Sequence, residues 1–121
     1  MMSNRANVRP REHAMEVQLE GLKPESKLDL NVGDKLVVSL EGNPTTGYQW
    51  QMASFTPEVL DWIEGPTYLP SSPGRIGSGG TFKFGFKALK KGRATVKLVY
   101  RRSWEEGVPP IKTAMLKVKV K

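Results

Sequence analysis

The sequence contains no cysteine and one histidine, His13, among its 121 residues. Without a thiolate there is no cysteine nucleophile, no disulfide and no soft metal site. One histidine in a polar, arginine-bearing segment cannot complete a Ser-His-Asp set or supply a two-histidine metal centre. The composition therefore predicts a protein that is not an enzyme and that needs no metal or other cofactor.

Long apolar stretches are also missing. No run of 18 apolar residues occurs, so no membrane-spanning helix is predicted. Residues 1–13 are polar, with Pro10 and several arginines, and predict a disordered N-terminal arm ahead of one domain over residues 14–121. The arm shows no apolar core of a secretory signal, although such a signal could have been removed, and the compartment is left open.

The formal net charge of +7 leaves nucleic-acid binding by a basic β-barrel or sandwich as an alternative function. Phe82, Phe84 and Phe86 alternate with polar residues and would serve as a stacking platform for bases. Most of the lysines, however, alternate with apolar residues, as on the solvent-facing side of a half-buried sheet. We therefore expect neither nucleic acid nor a membrane as partner, and we expect a monomer.

Period-two alternation of apolar and polar residues dominates beyond residue 13, as in "TFKFGFKA" and "AMLKVKV". Seven to eight short strands and no convincing helix predict an all-β fold, an immunoglobulin-like antiparallel β-sandwich without a disulfide. A small barrel is the alternative architecture. "EVLDWIE" fits either a strand or a short helical turn. The proline- and glycine-rich segment from Gly65 to Gly80 is expected to be irregular throughout.

A neutral loop, "NPTTG", joins two strand-like runs, and its residues restrict its conformation. Pro44 fixes its own φ and pushes Asn43 into an extended conformation. Thr45 and Thr46 are β-branched and have few χ1 choices. Gly47 tolerates the positive φ that turns the chain back into a strand. Such a loop loses little entropy on binding, although an ordinary proline-initiated turn explains the same residues.

Two further segments contain more unusual residues than a plain connection requires. Gly77, Ser78, Gly79 and Gly80 form a glycine-rich loop that lacks the lysine and the helix of a phosphate-binding loop, so it predicts close approach of the backbone. Arg102, Ser103 and Trp104 follow a strand, and the tryptophan falls outside the strand alternation. Tryptophan and arginine are enriched at binding hot spots, while a tryptophan folded over the sandwich rim is the simpler alternative.

In order and spacing, these segments resemble the three motifs of the chagasin family, which are NPTTG followed by an aromatic residue, GxGG, and RPW. The first motif is residues 43–48, the second is residues 77–80 and the third is residues 102–104. The matching residues are Asn43, Pro44, Thr45, Thr46, Gly47, Tyr48, Gly77, Ser78, Gly79, Gly80, Arg102, Ser103 and Trp104. Ser103 departs from the family pattern, because proline is usual there.

The resemblance implies a reversible, non-covalent protein inhibitor of papain-like cysteine proteases. It implies that the three motifs lie at one end of the sandwich and enter the active-site cleft of the protease together. By the same resemblance, the first motif would lie over the catalytic cysteine and histidine of the enzyme. The second would contact the non-primed side, and Trp104 the primed side.

Overall fold

The computed structural model describes residues 25–71 and 79–121 in full and residues 16–20 by their backbone. The predicted N-terminal arm lies outside the described residues. Within them, the only helix is a three-residue 3-10 turn, Pro44–Thr46, which is far too short to traverse a bilayer. The strands are β1 Glu16–Glu20, β2 Glu25–Leu30, β3 Lys35–Gly42, β4 Tyr48–Phe55, β5 Leu60–Pro70, β6 Gly80–Ala88, β7 Gly92–Arg102 and β8 Lys112–Val120.

These strands form two four-stranded sheets, which confirms the predicted all-β sandwich. The first sheet has the order β1-β3-β6-β5 and the second has the order β2-β8-β7-β4. Pairing is antiparallel except at two sheet edges, where β1 pairs with β3 and β2 pairs with β8 in parallel. The sequence has no cysteine, so the two sheets are joined by packing and by hydrogen bonds such as that from Nε1 of Trp50 in β4 to the carbonyl oxygen of Glu41 in β3.

The core lies between the sheets and is built from the apolar members of the alternating strands. Phe82, Phe84 and Phe86 of β6 are 4%, 0% and 0% exposed, and they pack against Leu98 and Leu116 of the second sheet's strands within one cluster. Burial of such side chains is the main favourable term in folding. Because the three phenylalanine rings are inside the sandwich, they cannot form the stacking platform of the nucleic-acid alternative.

The expectation that residues 65–80 are irregular throughout is wrong for residues 65–70. There β5 continues to Pro70 and pairs with β6, with register shifts around Glu64 that accommodate Pro66. Prolines are tolerated because β5 is an edge strand and does not need every amide for a ladder. The segment "EVLDWIE" forms a turn that leads into this strand at Leu60.

The strand register brings the loops that carry the motifs to one end of the sandwich. Gly42, at the end of β3, lies opposite Gly80, at the start of β6. Tyr48, at the start of β4, lies opposite Arg102, at the end of β7. The two sheets therefore place the boundaries of all three motifs at the same end of the sandwich.

Candidate functional site

The first motif folds as a capped 3-10 turn. Asn43 is its N-cap, with extended φ and ψ of −137° and 95°. The Oδ1 atom of Asn43 accepts hydrogen bonds from the amide of Thr45 at 3.1 Å and from its hydroxyl at 2.6 Å. The hydroxyl of Thr46 donates to the carbonyl oxygen of Asn43 at 2.8 Å. Both threonines are thus fixed by the cap, which satisfies amides that a turn otherwise leaves unpaired.

Gly47 closes this turn and allows contact with the third motif. Its φ is +87°, a left-handed conformation that favours glycine, and its amide donates to the carbonyl oxygen of Pro44 at 2.9 Å. A Cβ atom at this position would collide with the indole ring of Trp104. Glycine is therefore favoured by the backbone conformation, and its lack of a Cβ atom leaves room for the ring of Trp104 in this position.

Tyr100, which the sequence analysis did not select, anchors the first motif to the core. The Oη atom of Tyr100 accepts a hydrogen bond from the amide of Asn43 at 2.9 Å. The Tyr100 ring packs against the rings of Tyr48 and Trp50, with centroid distances of 5.4 and 5.1 Å. The only sequence signal for this role is a tyrosine, rather than a phenylalanine, at the loop end of β7.

Arg102 joins the third motif to the first. Its Nε atom donates to the carbonyl oxygen of Thr46 at 3.0 Å. Its guanidinium lies 4.4 Å from the ring centroid of Tyr48 and 5.9 Å from that of Trp104. Glu105, which the sequence analysis did not select, holds the guanidinium from the other side with a 3.6 Å ion pair. Arg102 is therefore braced within the protein by its contacts with Thr46, Tyr48 and Glu105.

The third motif is a turn that exposes its aromatic residue. The amide of Glu105 donates to the carbonyl oxygen of Arg102 at 3.2 Å, and Ser103 and Trp104 occupy the two central positions. Trp104 is 66% exposed, although one side of its ring lies against Gly47. The ring is thus positioned on one side and open to a partner on the other.

The second motif is described only from Gly79 onward, and Gly77 and Ser78 lie outside the described residues. The carbonyl oxygen of Gly79 accepts hydrogen bonds from the amide and the hydroxyl of Ser71, both at 3.1 Å. A Cβ atom on Gly79 would lie 3.3 Å from the carbonyl oxygen of Gly42, and one on Gly80 would collide with the backbone of β5. The predicted close backbone approach is present, and it brings this motif beside the first.

The described residues of the first motif offer neutral contacts, and they and their described surroundings hold no metal site. Residues 43–48 carry no charge, and no group of three or more metal-ligating side chains occurs in the part of the chain that the structure describes. An all-β sandwich whose loops are held by internal hydrogen bonds at one end, beside an exposed tryptophan, is typical of a binding protein. The model of the chagasin family of peptidase inhibitors matches residues 29–118, most of the chain. The chain therefore belongs to the chagasin family, whose members are inhibitors and not enzymes.

Relatives and solved structures agree with this assignment, which confirms the resemblance seen in the motifs. Amoebiasin-1 of Entamoeba histolytica is 34% identical over an alignment 94 positions long, and the match covers 73% of this chain and 83% of the relative. Chagasin of Trypanosoma cruzi is 32% identical over an alignment 81 positions long, and the match covers 64% of this chain and 73% of the relative. The crystal structure of the cysteine protease inhibitor EhICP2 from Entamoeba histolytica has a TM-score of 0.76 and 25% identity, covering 90% of this chain and 98% of that one.

Proposed function

We propose that this protein is a reversible, non-covalent inhibitor of papain-like cysteine proteases and that it acts as a monomer. In this proposal the three motifs enter the active-site cleft together. The first motif lies over the catalytic cysteine and histidine, residues 77–80 contact the non-primed side and Trp104 contacts the primed side. Membership of an inhibitor family and the likeness to a cysteine protease inhibitor support the target class.

The observation that carries the proposal is the internal hydrogen bonding of the first motif. The carbonyl oxygens of Asn43, Pro44 and Thr46 all accept hydrogen bonds from within the protein. A protease must polarise the scissile carbonyl in its oxyanion hole and must align it for attack. A turn in which three carbonyl groups are held in fixed directions by internal hydrogen bonds can occupy the cleft without presenting a bond in attackable geometry.

Preorganisation also explains how a small, neutral loop can bind tightly. Ordering flexible loops on binding costs free energy. A turn that is capped and that contains proline and two β-branched residues has already lost most of its conformational freedom before it binds. Trp104 adds an exposed aromatic surface held in place by Gly47 and Arg102. Aromatic anchors of this kind dominate the binding energy of protein interfaces.

A titration of papain with this protein tests the proposal, with hydrolysis of a small peptide substrate as the readout. We expect activity to fall linearly to a stoichiometric endpoint and mass spectrometry to recover the inhibitor intact. Recovery of activity on dilution would establish that binding is reversible. Full papain activity at micromolar protein, with the protein folded by circular dichroism, would contradict the proposal.

A further inference from the structure

Cations lie directly opposite one another on the outer face of the second sheet. Lys27 of β2 is paired with Lys117 of β8, and Arg93 of β7 is paired with Lys119 of β8. Paired residues in a sheet project to the same side, and like charges placed opposite each other are destabilising. The face therefore holds two rows of repelling charge, which a bound anion would neutralise. We call these four residues the basic face.

The carboxylates on this side of the molecule are already paired. Glu25 lies 2.6 Å from Lys117, and Asp29, although opposite Lys119 in register, lies 3.1 Å from Lys121. Lys117, with a smaller contribution from Lys27, holds the pKa of the Glu25 carboxyl below its ordinary value. The other three members of the basic face are Lys27, Arg93 and Lys119. No carboxylate of the described residues makes an ion pair with any of them.

The first sheet shows how such repulsion is balanced elsewhere in the same molecule. Lys35 and Lys87 also lie opposite each other there. In that row, however, Glu64 forms a 3.2 Å ion pair with Lys35, and Asp61 is paired in register with Lys87. Each cation of that row thus has an acidic neighbour. In the row of Arg93 and Lys119, Asp29 lies opposite Lys119 but is ion-paired with Lys121, and Arg93 lies opposite a lysine only.

The basic face lines a shallow depression of about 410 Å³, together with Asp29 and Thr95. None of the residues that line it is aromatic, so the face offers nothing on which nucleic-acid bases could stack. A concave surface fits a thin chain better than it fits a flat bilayer or a broad nucleic-acid duplex. Its ligand should therefore be narrow, linear and rich in anionic groups.

We propose that the basic face binds a linear sulfated glycan, with sulfate groups against Lys27, Arg93, Lys117 and Lys119. Sulfate oxygens accept the charge-assisted hydrogen bonds that ammonium and guanidinium groups donate. Arg93 and Arg102 are nine residues apart on one strand, which places the face roughly 30 Å from the third motif. The site is thus separate from the loop end and does not depend on the inhibitory function.

Titration calorimetry with a heparin octasaccharide tests this proposal on the full-length protein. The double variant Lys117→Gln/Lys119→Gln removes two cations from the central strand β8. The control, Lys83→Gln/Lys87→Gln, removes the same number of cations from the central strand β6 of the other sheet, where the two lysines also project to one side but lie four positions apart. Loss of two charge-assisted contacts should weaken binding roughly tenfold or more in the first variant and far less in the control.

Equal weakening in the two variants would overturn the proposal, because it would mean that heparin responds only to net charge. Tighter binding of duplex DNA or of anionic phospholipid vesicles than of heparin would also overturn it, as would unchanged affinity for desulfated heparin. The thermal midpoint of each variant verifies its folding. If the β8 variant does not fold, Lys27→Gln on the edge strand β2 replaces it, and it should weaken heparin binding more than Lys83→Gln does.

Discussion

The Nε atom of Arg102 donates a hydrogen bond to the carbonyl oxygen of Thr46, 3.0 Å away and 56 positions apart in the chain. This bond joins the third motif to the first and occupies the carbonyl that precedes Gly47. The same guanidinium lies over the ring of Tyr48 and pairs with Glu105. Arg102 thus positions the first motif, and it fixes the direction of the Thr46 carbonyl by occupying one of its two acceptor positions.

Arg102→Ala should therefore weaken inhibition and expose the first motif to cleavage. We expect a loss of about 1 kcal/mol, less than the roughly 1.5–3 kcal/mol typical of hydrogen bonds to charged groups, because the bond is exposed to solvent. Papain incubated with the variant should slowly cut the Thr46–Gly47 bond, which mass spectrometry detects. Arg93→Ala, at the other end of β7, is the control and should remain an intact, fully active inhibitor. Identical inhibition and equal resistance to cleavage in both variants would refute the positioning role.

We predict that Gly47 is needed for inhibition, because a side chain there would displace Trp104. Gly33 provides a matched test of this prediction. Both glycines have similar positive φ values, +87° and +92°, but a Cβ atom on Gly33 would meet nothing within 4 Å. Alanine at either position should cost about 1 kcal/mol of stability from backbone strain. Only Gly47→Ala should also displace Trp104, so only this variant should lose papain inhibition beyond its loss of stability.

Thermal unfolding and papain titration of the two glycine variants separate these effects. Gly33→Ala should unfold at a lower temperature and inhibit as the wild type does. Should both variants inhibit equally well, the contact between Gly47 and Trp104 would have no part in binding.

The core could be predicted from sequence because alternation reports directly on burial. Phe84 and Leu116 are completely buried at the positions that period-two patterning gives them. The course of β5 could not be predicted, because proline and glycine at residues 65–70 indicate irregular structure. An edge strand tolerates them where it bulges, and edge position is a property of the sheet rather than of the segment.

The candidate site shows a similar division between local and long-range information. The cap by Asn43 and the turn at Gly47 follow from neighbouring residues, so the stiffness of the first motif could be inferred from "NPTTG". The hydrogen bond between Tyr100 and Asn43 joins residues 57 positions apart. No local pattern encodes such a contact. It arises because the C-terminal ends of β3 and β7 lie at the same end of the sandwich.

Tyr100→Phe removes that long-range hydrogen bond while keeping the ring that packs against Tyr48 and Trp50. The amide of Asn43 would then lose its acceptor in a partly buried place, at a cost of about 1–2 kcal/mol. We expect a lower thermal midpoint and weaker papain inhibition. An unchanged midpoint would mean that water replaces the hydroxyl as acceptor, and inhibition should then be unchanged as well.

Trp104→Ala separates binding from stability. Trp104 is 66% exposed, so its removal should change the free energy of unfolding little, whereas inhibition should weaken by ~1–3 kcal/mol, the range of an interface hot spot. Trp62→Ala is the control, since Trp62 lies on β5 and is 37% exposed. That variant should keep full inhibition.

Thr46→Ala tests the first motif in the same assay and should weaken inhibition over a similar range. Full inhibition by both Trp104→Ala and Thr46→Ala would count against entry of these motifs into the cleft.

Ser103→Pro should strengthen inhibition. Ser103 occupies the second position of the turn that the Glu105 amide and the Arg102 carbonyl close, and proline is favoured there. Arg102, the preceding residue, is extended at the end of β7, which is the conformation that proline requires before it. A compatible proline stabilises by about 0.4–1 kcal/mol through the unfolded state, and it would also hold Trp104 more firmly before binding.

Ser103→Ala is the control for this substitution, because it removes the hydroxyl without adding the ring. We expect a raised thermal midpoint and a lower inhibition constant for papain with proline, and neither change with alanine. If proline raises the midpoint but weakens inhibition, the third motif must adjust when it binds. The model of a loop end that is fully formed before binding would then be wrong for this motif, while the internal hydrogen bonds of the first motif would still account for its stiffness.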